Sequence, residues 1–278
     1  MQFSGSRALS EALEILKGRF GPLVAVTLIF YLTLFGVVLA LGGGMAATMM
    51  AAGGADPAQA FAGMGLSILL LYVVIYAIQF AQAITTMRLC SDRHPPSIGD
   101  AMSAGFRAVP TMFGVVLLFI VGGVVVGLVS SLVVAGLLAA AKSATLSFVL
   151  MLLFVVGMLY LLARASLIVP VIAIDGVMNP ITVIANSWRM TANSALKIAV
   201  VYILAVIVMA SIMIGLVFAT IGLPGVAGTS PSPGGIIGFG VAMLVIELTL
   251  GLYFTCLIAA IHRQLSSGNV AATSQTFD

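Results

Sequence analysis

Residues 144–163, ATLSFVLMLLFVVGMLYLLA, followed at once by Arg164, form an uncharged apolar run of the ~20 residues that cross a bilayer as a helix, closed by a cation. Five further stretches have the same character, at 22–41, 62–87, 109–141, 195–223 and 235–262. Over 278 residues the chain is 62% apolar and 7% charged, against about 25% charged in an ordinary soluble domain, so a water-soluble fold could not hide its apolar surface. The expected fold class is all-α: a polytopic membrane protein with six transmembrane helices.

Charge placement orients these spans. Of the 11 Lys and Arg residues, all but Lys142 fall on one side when the spans are threaded in order. Arg7, Lys17 and Arg19 precede the first span, and Arg88, Arg93 and Arg107 lie between the second and third. Arg164, Arg189 and Lys197 lie between the fourth and fifth, and Arg263 follows the sixth. Cytoplasmic loops carry the excess of Lys and Arg, so both termini are expected in the cytoplasm of a bacterial inner membrane. A net charge of +3 spread over loops offers no basic face, which argues against nucleic acid as a partner and leaves membrane lipids as the natural one.

The N-terminal cations and the apolar run after them could suggest a cleaved signal. Glu11 and Glu14 in the leading region and an apolar run longer than the usual ~7–15 residues argue against one. Cys90 sits at a helix end and Cys256 inside the sixth span, which gives no expectation of a structural disulfide. Residues 1–263 read as a single membrane domain, and residues 264–278 as a polar, disordered cytoplasmic tail. The outer connections 42–61 and 223–234 are Gly-, Ala-, Pro- and Ser-rich, too poor in core residues for a folded outer domain.

A threefold pattern runs through the chain, visible before each odd-numbered span. In 7–20, Leu9, Leu13, Leu16 and Phe20 form a stripe opposite Arg7, Glu11, Glu14 and Lys17. In 97–108, Ile98, Met102 and Phe106 oppose Asp100, Ser103 and Arg107. In the third copy Ile181, Ile184, Trp188 and Ala195 oppose Thr182, Asn186, Arg189 and Asn193. Ser97 and Asn179 suit N-caps, and Pro180 suits the first helical position, where its missing N–H costs least. Each repeat therefore reads as an amphipathic elbow helix leading into a helical hairpin. Trp188 beside Arg189, together with Arg107, Lys17 and Arg164, suits the headgroup layer, with rings toward acyl chains and cations toward phosphate. Arg88, Arg164 and Arg263 close the even spans, where a cation favours the negative end of the helix dipole.

Chemistry-bearing residues are few. Glu247 lies about sixteen residues, or ~24 Å of helix, before Arg263, which places an acid inside the hydrocarbon. It is a candidate proton or cation site, or a protonated carboxyl bonded to a neighbouring helix. Gln79 and Gln82, with Thr85 and Thr86, are possible intramembrane polar partners nearer the inner face. Gly123, Gly127, Ser131, Ala135 and Ala139 recur every four residues on the third span, a small-residue face for packing within the chain, against a second copy or against another membrane protein. His94 and His262 have no ligand spacing around them, and neither a phosphate loop nor a nucleophile elbow occurs. No catalytic residue, metal site or cofactor is expected.

The stretch Ala163-Arg164-Ala165-Ser166-Leu167-Ile168-Val169-Pro170-Val171-Ile172-Ala173-Ile174-Asp175-Gly176, continuing through Asn179-Pro180 to Ser187-Trp188-Arg189-Met190-Thr191-Ala192-Asn193, resembles the bacterial glycerophosphoryl diester phosphodiesterase membrane-domain family. Residues 1–24 and 101–110 are similar to it as well. The resemblance implies a six-helix inner-membrane domain without a catalytic residue of its own, since the phosphodiesterase motifs belong to a separate domain in relatives that have one. The resulting expectation is a non-enzymatic scaffold or lipid-associated accessory protein, the alternative being a transporter or channel that uses Glu247.

Overall fold

The structure, a computed structural model, describes residues 3–44, 57–91, 96–141, 144–220, 238, 241 and 244–274. Its helices are α1 (Gly5–Val37), which ends in a π turn (Val38–Gly42), α2 (Pro57–Leu89), α3 (Ile98–Ala141), α4 (Ala144–Ala165), α5 (Ile168–Ala173), α6 (Pro180–Thr191), α7 (Ala195–Thr220) and α8 (Leu252–Ser274), which follows a second π turn (Glu247–Gly251). Six stretches are long and apolar enough to cross a membrane: Gly5–Gly42, Gly65–Leu89, Ile98–Leu132, Thr145–Ala173, Ala195–Gly215 and Leu244–Ser266. The chain is an all-α, multi-pass membrane protein.

Buried side chains crowd one end of this bundle. They come from α1 as far as Phe30, the last turns of α2, the start of α3, the end of α4, one face of α6, the start of α7 and the first half of α8, with α5 among them. Five of the six α5 residues, Ile168, Pro170, Val171, Ile172 and Ala173, are buried. The far halves of the spans are bare, with Leu132 75%, Phe148 67% and Met151 67% exposed. Such surfaces suit acyl chains and would be untenable in water.

The elbows depart from three equal copies. In the first, α1 runs on from elbow to span, but Arg19 leaves helical geometry (φ −130°, ψ 17°) and marks the junction. The second has no break: α3 carries Pro110 inside it and continues to Ala141. At ~1.5 Å per residue its 44 residues exceed the ~30 Å hydrocarbon, so elbow and span form one rod that projects beyond the bilayer core or tilts strongly. Only the third elbow, α6, is a separate helix, set apart from α7 by the turn at 192–194.

Capping agrees with the sequence in two copies. Asn179 Oδ1 accepts from the Ile181 and Thr182 amides at 3.0 and 3.4 Å, with Pro180 at the first helical position. Ser97 Oγ accepts from the Asp100 amide at 3.1 Å and donates to its carboxylate at 2.6 Å, a reciprocal cap. Ser4, at the equivalent place in the first copy, makes no side-chain cap bond.

One other expectation, an irregular segment from Gln264, is corrected, and the end of the fourth span is fixed. The break after the fourth span falls at Ser166–Leu167, ahead of Pro170, which sits in the first turn of α5 where its missing N–H is tolerated. The segment from Gln264 is not irregular, since α8 continues through Ser274. The small-residue stripe is open where it is described: a methyl group at Gly123 or Gly127 would meet nothing within 4 Å, and Ser131 is exposed. The side chains of Ala135 and Ala139, and the loop residues 45–56 and 221–237, lie outside the described residues.

Candidate functional site

The first site is the surface that the elbows present. In all three most of the bulky apolar stripe points outward, while one member of each, Leu16, Met102 and Ile184, packs against the core, and Ala195 at the end of the third is buried. Leu9, Leu13 and Phe20 are exposed in the first, while Ala8, Glu11, Ala12 and Ile15 are buried. In the second, Ile98 and Phe106 are exposed over buried Ala101 and Ala108, and Gly105 lies so close to α2 that an added methyl would collide with the Ala81 carbonyl. In the third, Ile181 and Trp188 are exposed while Val183, Ser187 and Thr191 are buried. The stripes thus lie mostly outside the core, touching it through Leu16, Met102 and Ile184. They form an outward apolar surface edged by cations, because Lys17, Arg107 and Arg189 are exposed. Leu118 of α3 joins Ile181, Ile184, Ala185, Trp188 and Arg189 around one apolar cleft on this surface.

Each elbow is tied to the end of an even span. Thr85 Oγ1 on α2, which donates to the Ala81 carbonyl of its own helix at 2.7 Å, also lies 3.4 Å from the Ala101 carbonyl of the second elbow. Arg164 at the end of α4 donates from Nη1 to the Trp188 carbonyl at 2.7 Å, and Ser187 Oγ returns a bond to the Arg164 carbonyl at 2.6 Å. Arg263 on α8 reaches Glu11 of the first elbow at 3.2 Å, where Arg7 also pairs at 2.8 Å and Gln264 donates at 3.3 Å. The last span thereby closes on the first elbow, and the three repeats form a ring.

Arg164 must be moved out of the headgroup group. It is buried, donates from Nε and Nη2 to the Tyr160 hydroxyl at 2.9 and 2.6 Å, and its guanidinium lies 5.1 Å from the Tyr160 ring centre and 5.5 Å from that of Trp188. A hydroxyl and a carbonyl take three of its five N–H groups and two rings flank its guanidinium, which makes it a structural pin. Arg19 plays a comparable part: the break in α1 aims its Nη1 at the carbonyls of Leu89 and, at 2.7 Å, Ser91, which caps the negative end of α2.

The second site is a partly open cavity of about 290 Å³ between α1, α2 and α8, with Gln79 exposed at its rim and Thr27 and Thr86 buried. Gln79 and Gln82 line it together with Thr27, Tyr31, Thr86 and Thr255, and Gly251 closes one edge. At ~1.5 Å per residue Gln82 and Gln79 stand ~10–15 Å up α2 from Leu89, so these amides lie within the hydrocarbon. Thr85, one residue from Thr86, faces the second elbow instead. Glu247 opens the π turn that ends at Gly251, while its side chain lies outside the described residues.

Two contacts at the elbow end had no sequence signal. The thiols of Cys90 and Cys256, both buried, stand 3.3 Å apart and unbonded. His262, buried, meets the Asp175 carboxylate at 3.1 Å. Gly176 after that aspartate has φ 70°, a backbone state that glycine adopts freely. Among the described residues no cluster of three His, Cys, Asp or Glu side chains is placed to hold a metal.

These features define a helical multi-pass membrane protein with an apolar, cation-edged elbow surface and a polar cavity between spans. No family model, curated protein or solved structure matches the chain.

Proposed function

We propose that this is a non-enzymatic, lipid-associated protein of the bacterial inner membrane, with both termini cytoplasmic, in which the ring of elbows grips the cytoplasmic leaflet. The observation that carries the reading is the outward turn of the large apolar stripes in all three elbows, next to exposed Lys17, Arg107 and Arg189. An amphipathic helix with its apolar face toward acyl chains and cations toward phosphate binds anionic headgroups by both burial and charge. Two further points support the assignment: the one-sided distribution of cations, and the resemblance of residues 163–193 to the phosphodiesterase membrane domains. Working through lipid, such a ring would serve as a scaffold for other membrane proteins, or for a second copy through the open face at Gly123, Gly127 and Ser131.

The reading is tested with purified protein in nanodiscs. Anionic phosphatidylglycerol should raise the unfolding temperature relative to phosphatidylcholine, and added salt should erase part of the difference, since the Debye length falls to ~3 Å at 1 M. Replacing Lys17, Arg107 and Arg189 together by Gln should abolish the lipid-charge effect while leaving stability in phosphatidylcholine unchanged. Equal stability of the wild type in both lipids at low salt would contradict the proposal.

The second reading, a transporter or channel, draws on the polar cavity.

A further inference from the structure

We propose that the cavity between α1, α2 and α8 is a binding site for a small monovalent cation. The inference rests on the cavity and the π turn beside it, and stands or falls apart from the role of the elbows.

The lining is polar where hydrocarbon would favour apolar side chains. Thr27 is 3% exposed, yet its Oγ1 has no hydrogen-bond partner within the protein. Threonine in a helix ordinarily bonds back to the preceding turn, as Thr86 does to the Gln82 and Ala83 carbonyls at 2.9 and 3.1 Å and Thr255 does to Gly251 at 3.0 Å. An orphaned hydroxyl at this depth costs free energy unless something in the cavity meets it.

The walls present oxygens from two glutamines and three threonines, with the glutamine NH2 groups as donors beside them. Thr86 and Thr255 spend their protons on their own helices, so lone pairs are what their oxygens have left to offer. Gln79 and Gln82 each bring an amide oxygen, and the Thr27 hydroxyl is uncommitted. The lining carries no charged side chain of either sign, so an ion there is held by neutral groups.

Neutral oxygens of this kind can replace the hydration shell of a monovalent cation, as carbonyl and hydroxyl groups do in membrane ion sites, but a divalent ion is more strongly hydrated and normally needs several carboxylates. One acid lies close by in the chain. Glu247 opens the π turn whose last residue, Gly251, lines the cavity, and it is the only acid between Asp175 and Asp278. A π turn also shifts the backbone bonding pattern from i→i+4 to i→i+5, a feature that recurs at functional sites.

The test uses the full chain in phosphatidylcholine nanodiscs at constant ionic strength, with choline chloride replaced stepwise by sodium, potassium or ammonium chloride. At least one of the three should raise the unfolding temperature saturably, and the arms distinguish an alkali ion from an ammonium-type ligand. Thr27→Val, which keeps the shape and removes the oxygen, should raise the half-saturating concentration by about tenfold or more, equivalent to ~1.4 kcal/mol. Glu247→Gln should abolish the response. Gln82→Leu gives an independent reading of the lining should Thr27→Val fail to fold. Identical unfolding in all four salts, or variants that titrate as the wild type does, would overturn the proposal.

Discussion

Arg164 illustrates what a single residue contributes here. A lysine could keep the charge, but it could not fork two bonds onto the Tyr160 hydroxyl, reach the Trp188 carbonyl and lie between two rings at once. Arg164→Lys should therefore cost about 1–3 kcal/mol in unfolding measurements. Tyr160→Phe should be destabilising in the wild type and nearly silent in the Arg164→Lys background, because both changes remove the same contact. Additive losses would mean that the two residues act separately. The sequence displayed Arg164 as one of several interfacial cations, and the tyrosine four residues earlier was the overlooked clue, since i and i+4 side chains meet on a helix. Gln79 and Gln82 were legible as intramembrane polar groups. Thr27 was not, because a threonine in an apolar helix normally satisfies itself by back-bonding, and only the three-dimensional arrangement reveals that this one does not.

At the scale of elements, the amphipathic stripes were visible from periodicity, but which face turned inward was not. Periodicity in water places large apolar residues in the core. In a membrane both faces can be satisfied, and close packing then selects the small face, as Ala101, Gly105 and Ala108 do against α2. Gly105→Ala should accordingly destabilise the protein by about 1–3 kcal/mol through overpacking, whereas Gly123→Ala should stay within ~0.5 kcal/mol of the wild type. Chemical unfolding in mixed micelles measures both, and equal effects would show that α2 and α3 do not approach as closely as described. Element boundaries were harder to read than element type. Pro110 could have ended the second elbow but is absorbed into α3, while Arg19, with no helix-breaking chemistry of its own, departs from helical geometry where it caps α2.

For the whole molecule, the six spans were plain in composition, while the closure of the third repeat on the first was not, since it depends on Glu11 meeting Arg263 across almost the full length of the chain. The proposed orientation is open to a labelling experiment, although the native cysteines are poor reporters because both are buried. In a Cys90→Ala/Cys256→Ala background, a cysteine at exposed position 189 (Arg189→Cys) should resist a membrane-impermeant maleimide in intact spheroplasts and react once the membrane is opened. Prompt labelling from outside would invert the topology.

The central claim, that the elbows lie at the lipid interface with their bulky stripes toward the acyl chains, is tested most directly at Trp188, the only tryptophan. The residue is 37% exposed on the outward face of α6, so lipid should meet part of it. In vesicles of phosphatidylcholine brominated at defined depths, its emission should be blue-shifted and quenched most strongly by bromine at the shallow end of the acyl chain. Strongest quenching by deep-chain bromine, or none at any depth, would contradict the account.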